Sequence, residues 1–248
     1  MTTNMTVLVT GASGTLGGAV LPCLAAAGYD VRPMSRRSRP GWWVADLASG
    51  AGLVEAVRGA DAVVHLASGS GKDRDTDIEG TRRLVAAAGI RHLLYVSIVG
   101  IERVPISYYR TKLAAEGLVR AGAVPWTILR ATQFPQLVDR LLTVSSKLGV
   151  LVEDRSLLVQ PVHVEDVAGR IAELLAAGPS GDTEFGGPQA LRFEEVARQW
   201  QRARGSRRPV VPIRMPGRAG RELRAGALTT AAGPTGTHTW ADYLAAKY

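Results

Sequence analysis

The sequence predicts an α/β protein, a doubly wound parallel sheet with a small C-terminal lobe. Three observations lead there. Apolar, β-rich runs alternate with helical stretches through the first 130 residues or so, the pattern of a parallel sheet covered on both faces. A glycine-rich turn stands between the first strand and the first helix. Beyond Thr132 the alternation gives way to a looser series of helices with Gly/Pro-rich connections. The chain has 248 residues, which at roughly 100 to 200 residues per domain makes one domain. Its expected parts are a core over 4–131 and a smaller lobe over 132–248, with elements near 157–177 returning to the core.

Each element has its own signal. Strands are expected at Met5–Thr10, Asp30–Met34, Trp42–Ala45, Ala62–Ala67, His92–Ile98 and Trp126–Arg130, short runs rich in β-branched and aromatic residues. The helices between them, Leu16–Ala27, Leu53–Arg58, Asp77–Ala88 and Tyr108–Ala121, each close near a glycine that suits a C-cap. In the lobe, a helix over Gln136–Lys147, a strand over Leu157–Gln160 and a helix over Glu165–Ala177 lead into a Gly/Pro-rich connection, Gly178–Gly187. Helices over Phe193–Arg204 and Gly217–Ala227 follow, and a last one opens at Thr239.

Composition excludes several classes. With 46% hydrophobic and 21% charged residues the chain is neither disordered nor fibrous. No apolar run approaches the roughly 20 residues of a membrane span. The N-terminus lacks a basic stretch ahead of its apolar run, so a cytoplasmic location is expected. The single cysteine, Cys23, excludes an internal disulfide, and no metal-ligand spacing is present; by position Cys23 is expected to be buried. The net charge is +8, and most of the excess lies between Arg192 and Arg224, where ten arginines face only Glu194, Glu195 and Glu222. No aromatic ladder, helix-turn-helix or zinc spacing accompanies them. They read as a solvated face or as a site for an acidic small molecule, with no nucleic acid as partner.

Directly after the first strand stands Gly11-Ala12-Ser13-Gly14-Thr15-Leu16-Gly17. Glycines allow the tight turn and a close backbone approach to a pyrophosphate, while the free N–H groups and positive end of the helix favour its charge. About twenty residues on, a dinucleotide site carries an acid for a ribose hydroxyl or an arginine for a 2′-phosphate. The second strand is followed by Arg36 and Arg37 with no acid beside them, so NADP(H) is preferred over NAD(H).

The chain also resembles the atypical, NmrA-like branch of the short-chain dehydrogenase/reductase superfamily. The likeness rests on the glycine turn, Ala45-Asp46-Leu47, Val64-His65-Leu66-Ala67-Ser68, Tyr95-Val96-Ser97, Tyr108-Tyr109-Arg110-Thr111-Lys112 and Val162-His163-Val164-Glu165-Asp166-Val167-Ala168. It implies a Rossmann fold with a C-terminal substrate lobe, Asp46 and Leu47 beside the adenine, and Leu66, Ala67 and Ser68 on the ribose side. It also implies a YxxxK pair in which Lys112 holds the nicotinamide ribose and lowers the phenol's pKa, Tyr108 passes a proton, and Ser97 hydrogen-bonds the substrate oxygen. Tyr109 competes for the phenol role. Ten residues separate Ser97 from Tyr108, fewer than in extended members, and Asp77 stands where those members place an Asn. Thr132, Gln133 and Phe134, at the carboxyl edge of the last core strand, are candidate nicotinamide or substrate contacts. His65 reads as a hydrogen-bonded core residue, and His163 and Asp166 as support at a helix start.

Together these readings describe an NADPH-dependent reductase of a carbonyl, imine or activated double bond in a small molecule. A non-catalytic NADP(H) sensor and an epimerase or isomerase with bound cofactor are the alternatives, and a homodimer is compatible with each. A fluorescence-anisotropy titration with mixed DNA and RNA at physiological salt tests the reading of the basic segment. No submicromolar binding is expected, because real phosphate-backbone affinity would also fall by orders of magnitude over a few-fold rise in salt.

Overall fold

Strand β1 (Thr6–Thr10) reads TVLVT, and Val7, Leu8 and Val9 are all fully buried, as a strand covered on both faces requires. Helix α1 (Thr15–Ala26) carries the chain to β2 (Asp30–Ser35), which pairs in parallel with β1, and β3 (Trp43–Val44) pairs in parallel with β2. After α2 (Leu53–Val57), β4 (Ala62–His65) takes the other side of β1. Helix α3 (Arg74–Ala86) precedes β5 (His92–Ile98), which runs parallel to β4. Then come α4 (Ser107–Ala121), β6 (Trp126–Ala131), α5 (Pro135–Ser146), β7 (Leu151–Glu153), β8 (Leu158–Val159), α6 (Val164–Ala177) and β9 (Gly181–Phe185). The sheet order is β3-β2-β1-β4-β5-β6-β9, so the order reverses between β1 and β4. That is the arrangement of a doubly wound Rossmann sheet. The computed structural model describes residues 5–69, 74–86, 89–147 and 149–248.

Contacts gather the chain into two units. The first takes the chain up to Ser97 together with Ser107–Arg130 and Val167–Thr183; the second takes Ile98–Ile106, Ala131–Asp166 and Glu184–Tyr248. One core of the first unit joins Leu8, Met34, Val63, Leu93, Tyr95 and Ile128 of the strands to Leu53 and Val57 of α2, Leu84 of α3, and Ala115 and Val119 of α4. The alternation Leu93, Tyr95 on β5 places side chains two apart on one face.

The second unit is built from helices and two short ribbons. β10 (Leu191–Arg192) pairs antiparallel with β8, α7 (Phe193–Ala203) follows, and β11 (Val210–Pro212) pairs in parallel with β7. After α8 (Gly217–Arg224), α9 (Trp240–Lys247) starts at Thr239, whose side chain and that of Asp242 form a reciprocal capping box. Its core joins Val138 and Leu142 of α5, Leu151, Val196 and Trp200 of α7, and Trp240 and Leu244 of α9. Inside it Asp139 is 4% exposed and accepts from Trp200 Nε1 at 2.7 Å, Tyr248 OH at 2.8 Å, Tyr243 OH at 3.2 Å and Lys247 Nζ. One carboxylate thus ties α5 to α7 and to the end of α9. Asp166 does similar work at the start of α6, accepting from the Thr237 and His238 backbone N–H groups, both at 3.0 Å, and from His238 Nδ1 at 2.8 Å.

Several expectations change. The Gly178–Gly187 connection contains β9, and β7, β10 and β11 carry no clear sequence signal; each is only two to five residues long and exists by pairing with a neighbour. β4 ends at His65, and Leu66 and Ala67 turn out of the sheet. The helix expected over Asp77–Ala88 begins earlier, at Arg74, and its residues 87 and 88 lie outside the described residues. Helix α8 ends at Arg224, short of Ala227. Cys23, expected buried, is only half-buried. Among the described residues no helix is long and apolar enough to cross a membrane.

Burial pushes the Asp139 carboxyl up, but Lys247, Trp200 and Tyr248 outweigh it and hold its pKa below the ordinary value. Its stabilisation is therefore present at neutral pH and is lost as pH falls through that lowered value. Asp139→Asn is expected to destabilise the protein by about 2 kcal/mol, the scale of a charge-assisted hydrogen bond, in denaturant titrations at neutral pH. The gap between the two proteins should narrow in strong acid, where the wild-type carboxyl also takes up a proton.

Candidate functional site

The turn that leaves β1 closes with a hydrogen bond from Gly14 N to Gly11 O at 2.9 Å. Gly11 has φ of 67°, and a Cβ on it would stand 2.5 Å from Ala67 N. Gly17 lies in the first turn of α1, where a Cβ would stand 2.5 Å from Ala12 O. Glycine is required at both positions. Helix α1 has no side-chain cap and no acid in its first turn, so its leading N–H groups and positive dipole end suit an acceptor from outside the helix.

Beside this turn lies a cavity of about 340 Å³, at the place where the strand order reverses. Its lining comes from four loops: Gly11, Ser13 and Gly14 after β1; Met34, Ser35 and Arg36 at the end of β2; Ala45, Asp46 and Leu47 after β3; Leu66, Ala67, Ser68 and Gly69 after β4. Nine of these are residues that the sequence points to. Ala45, from the segment Ala45-Asp46-Leu47, joins them with Met34, Ser35 and Gly69; nothing local marks the last three, and they arrive through the parallel register. Thr15, Leu16 and Gly17 form the first turn of α1. Arg37 is not in the lining; its N–H donates to Ser35 Oγ at 3.1 Å, and its carbonyl accepts from the same hydroxyl. Asp46 accepts from Ala48 N and Ser49 Oγ, both at 3.0 Å, so its carboxylate shapes its own turn.

A chain of hydrogen bonds holds the loops after β1 and β4 together. Thr81 Oγ1 donates its only proton to Asp77 O, so toward His65 Nε2, 3.1 Å away, it must accept. His65 therefore carries its proton on Nε2, and its Nδ1 accepts from Thr10 Oγ1 at 2.8 Å. Thr10 Oγ1 in turn accepts from Ala67 N at 3.4 Å. Burial, aided by the Lys112 charge, pushes His65 down to about 3, which keeps the ring neutral as this pattern demands. The core reading of His65 thus holds, and the residue also braces the cavity wall.

On α4 the buried residues Thr111, Lys112, Ala115, Glu116 and Val119 share one face, and Tyr108 begins that face four residues before Lys112. Lys112 is 3% exposed; its Nζ donates to Val96 O at 2.9 Å and stands 4.1 Å from the centre of the Tyr95 ring. Burial pushes its pKa down to about 8, against the opposing pull of Asp77 and Glu116. The Tyr108 hydroxyl lies 2.8 Å from Ser68 Oγ. Burial raises its pKa, the Ser68 contact lowers it, and Asp77 raises it further. Tyr109 packs against Tyr108 with ring centres 6.0 Å apart, and burial raises its pKa too.

Ser97 is buried, and among the described residues its hydroxyl makes no hydrogen bond. Burial pushes the Glu116 carboxyl up, and the Arg130 and Arg120 guanidinium groups outweigh it and bring its pKa below the usual range. Arg130 grips Glu116 with two bonds, at 3.0 and 2.6 Å. Asp77, almost fully buried, accepts from Gly69 N at 2.9 Å and so fixes the loop that carries Ser68. Thr132, Gln133 and Phe134 belong to the second unit and are bonded within it. Thr132 Oγ1 accepts from Gly187 N at 3.2 Å, while Gln133 donates to Leu228 O at 2.7 Å and accepts from Gln160 N at 2.9 Å. The Ser68–Tyr108 contact has no counterpart in any local motif, since the partners are forty residues apart.

The residues present fit a dinucleotide: a close-approach glycine turn, an uncapped helix start, and a cavity with Arg36 in its wall. A family model described as NAD(P)H-binding matches residues 11–177. A Streptomyces griseus protein, (4-alkanoyl-5-oxo-2,5-dihydrofuran-3-yl)methyl phosphate reductase, is 32% identical over 215 residues, covering 80% of this chain and 74% of that one. The NADPH-dependent quinone oxidoreductase of Escherichia coli, solved with NADPH, superposes with a TM-score of 0.80 at 17% identity, covering 97% of this chain and 99% of that chain. A short-chain dehydrogenase/reductase superfamily protein of Agrobacterium tumefaciens, solved with NAD, gives 0.72 at 22% identity, covering 97% and 95%. The two structures share the fold, and the family match begins at the glycine turn and runs to the end of α6. The chain therefore belongs to the NAD(P)H-binding family.

Proposed function

We propose that this oxidoreductase uses NADPH to reduce a carbonyl, imine or activated double bond of a small molecule, with a conjugated carbonyl compound as the class favoured. The observation that carries the reading is the 2.8 Å contact between Ser68, in the cavity wall, and the phenol of Tyr108, a group that would serve as proton donor beside the expected cofactor site. The Streptomyces griseus relative is named a reductase of an oxo-dihydrofuran that carries an alkanoyl group, and this supports a conjugated carbonyl.

When bound, the reduced nicotinamide would supply the hydride. The Gly11–Gly14 turn and the start of α1 would hold the pyrophosphate through backbone N–H groups. Arg36, with Arg37 next to it, would meet the 2′-phosphate; Asp46 and Leu47 would border the adenine, and Leu66, Ala67 and Ser68 the ribose side. Lys112, with a pKa of about 8, remains largely cationic at neutral pH, and its ammonium would hold the second ribose and favour the phenolate. Tyr108 would give its proton to the substrate oxygen as charge develops there. Glu116, with its Arg130 fork, would keep the buried face of α4 in register beneath these groups.

The decisive assay incubates the purified protein with NADPH and a panel of conjugated carbonyl compounds and follows loss of NADPH absorbance. Saturable cofactor binding without oxidation of NADPH by any of them would favour the sensor alternative instead. NADPH is expected to bind at least about tenfold tighter than NADH, or ~1.4 kcal/mol, in calorimetric titrations, and an Arg36→Ala/Arg37→Ala double variant should lose that preference. Lys112→Ala is expected to damage both cofactor binding and turnover. Tyr108→Phe should lower kcat by about a hundredfold with cofactor affinity nearly unchanged, and full activity in that variant would move the proton donor to Tyr109 or a water.

A further inference from the structure

The hydroxyl beside the Tyr108 phenol is that of Ser68, while Ser97, which motif logic would choose, is buried and makes no hydrogen bond among the described residues. Ser68 is exposed to solvent and lines the cavity, whereas Tyr108 is half-buried. Its loop is fixed from both sides, by Thr10 Oγ1 on Ala67 N and by the buried Asp77 carboxylate on Gly69 N. The 2.8 Å geometry thus comes from a braced segment. A serine hydroxyl both donates and accepts, so it can pass a proton in either direction between water and a phenol.

We propose that Ser68 is a positioning residue for Tyr108, holding the phenol in place and returning a proton to it from solvent. The catalytic consequence rests on the reductase reading above; the coupling of the two hydroxyls does not. In the proposed step, the Tyr108 O–H bond breaks as its proton goes to the substrate oxygen. The Ser68 hydroxyl proton then moves to the phenolate, and a solvent proton replaces it on Ser68. One solvent proton is consumed per turnover, and both hydroxyls are regenerated. Ser68 also counters the upward push of burial on the phenol, as a donor to the charged form does.

The test starts with the cofactor-free protein, so that it does not depend on turnover. The Tyr108 phenol is titrated by tyrosinate absorbance, isolated by subtracting the same titration of Tyr108→Phe, and circular dichroism checks that each variant is folded. Ser68→Ala is expected to shift the Tyr108 midpoint upward by about 0.5–1 pH unit, the scale of one neutral hydrogen bond. Ser68→Thr, which keeps the hydroxyl, should restore it. In turnover, Ser68→Ala should lower kcat by about tenfold and move the alkaline limb of the pH profile in the same direction. NADPH affinity, measured separately by calorimetry, identifies any loss that comes from the cavity wall alone. A Ser68→Ala midpoint coincident with wild type would overturn the coupling. A shifted midpoint with an unchanged kcat profile would overturn the relay. If the wild type binds NADPH but none of the carbonyl compounds oxidises it, the reductase reading fails, the relay falls with it, and the titration still decides the coupling.

Discussion

Where β1 leaves the sheet, Gly11 passes the backbone of Ala67 so closely that a Cβ would sit 2.5 Å from its nitrogen. Two strands that part in opposite directions at the reversal of sheet order leave a crevice between their carboxyl ends. The approach of Gly11 to Ala67 sets how tightly the loops after β1 and β4 bound it. The hydrogen-bond chain through Thr10, His65, Thr81 and Asp77 fixes that approach, and burial of the neutral imidazole keeps the chain in one proton arrangement. A histidine that is easy to take for a base is thereby committed to structure, and the loop carrying Ser68 gains a defined place.

The buried face of α4 follows a different rule. A lysine and a glutamate one turn apart are both removed from water there, which costs free energy unless each finds partners. Glu116 is satisfied by Arg130 and Arg120. Among the described residues Lys112 has a carbonyl and an aromatic ring as close partners, and its pKa falls to about 8. The carboxylate is locked in one charge state while the ammonium is left easy to perturb.

In the second unit the Asp139 carboxylate secures α5, α7 and the end of α9, and two tyrosines, a tryptophan and a lysine converge on it. Four donors compensate the removal of one charge from water, so a polar centre can sit within an otherwise apolar core. Three of those donors come from the last six residues of the chain, which places the end of α9 among the elements that define the unit.

The sequence alone determined whatever depends on neighbours along the chain. Alternating apolar runs gave β1 through β6, the glycine spacing gave the turn and the start of α1, and Thr239 gave the start of α9; the i, i+4 relation put Tyr108 and Lys112 on one helical face. Such features rest on backbone geometry within a few residues, which periodicity and cap chemistry encode directly. Tertiary structure decided the rest. β9 is a strand because it lies beside β6; its own residues, GDTEF, carry little strand character. Ser68 rather than Ser97 faces Tyr108, and Asp139 collects its partners from as far away as Tyr248. In each case the interacting groups are separated by forty or more residues, or exist only once a neighbouring strand has docked. No local pattern holds that information, because it is set by how the elements pack and by which polar groups burial then forces to find partners.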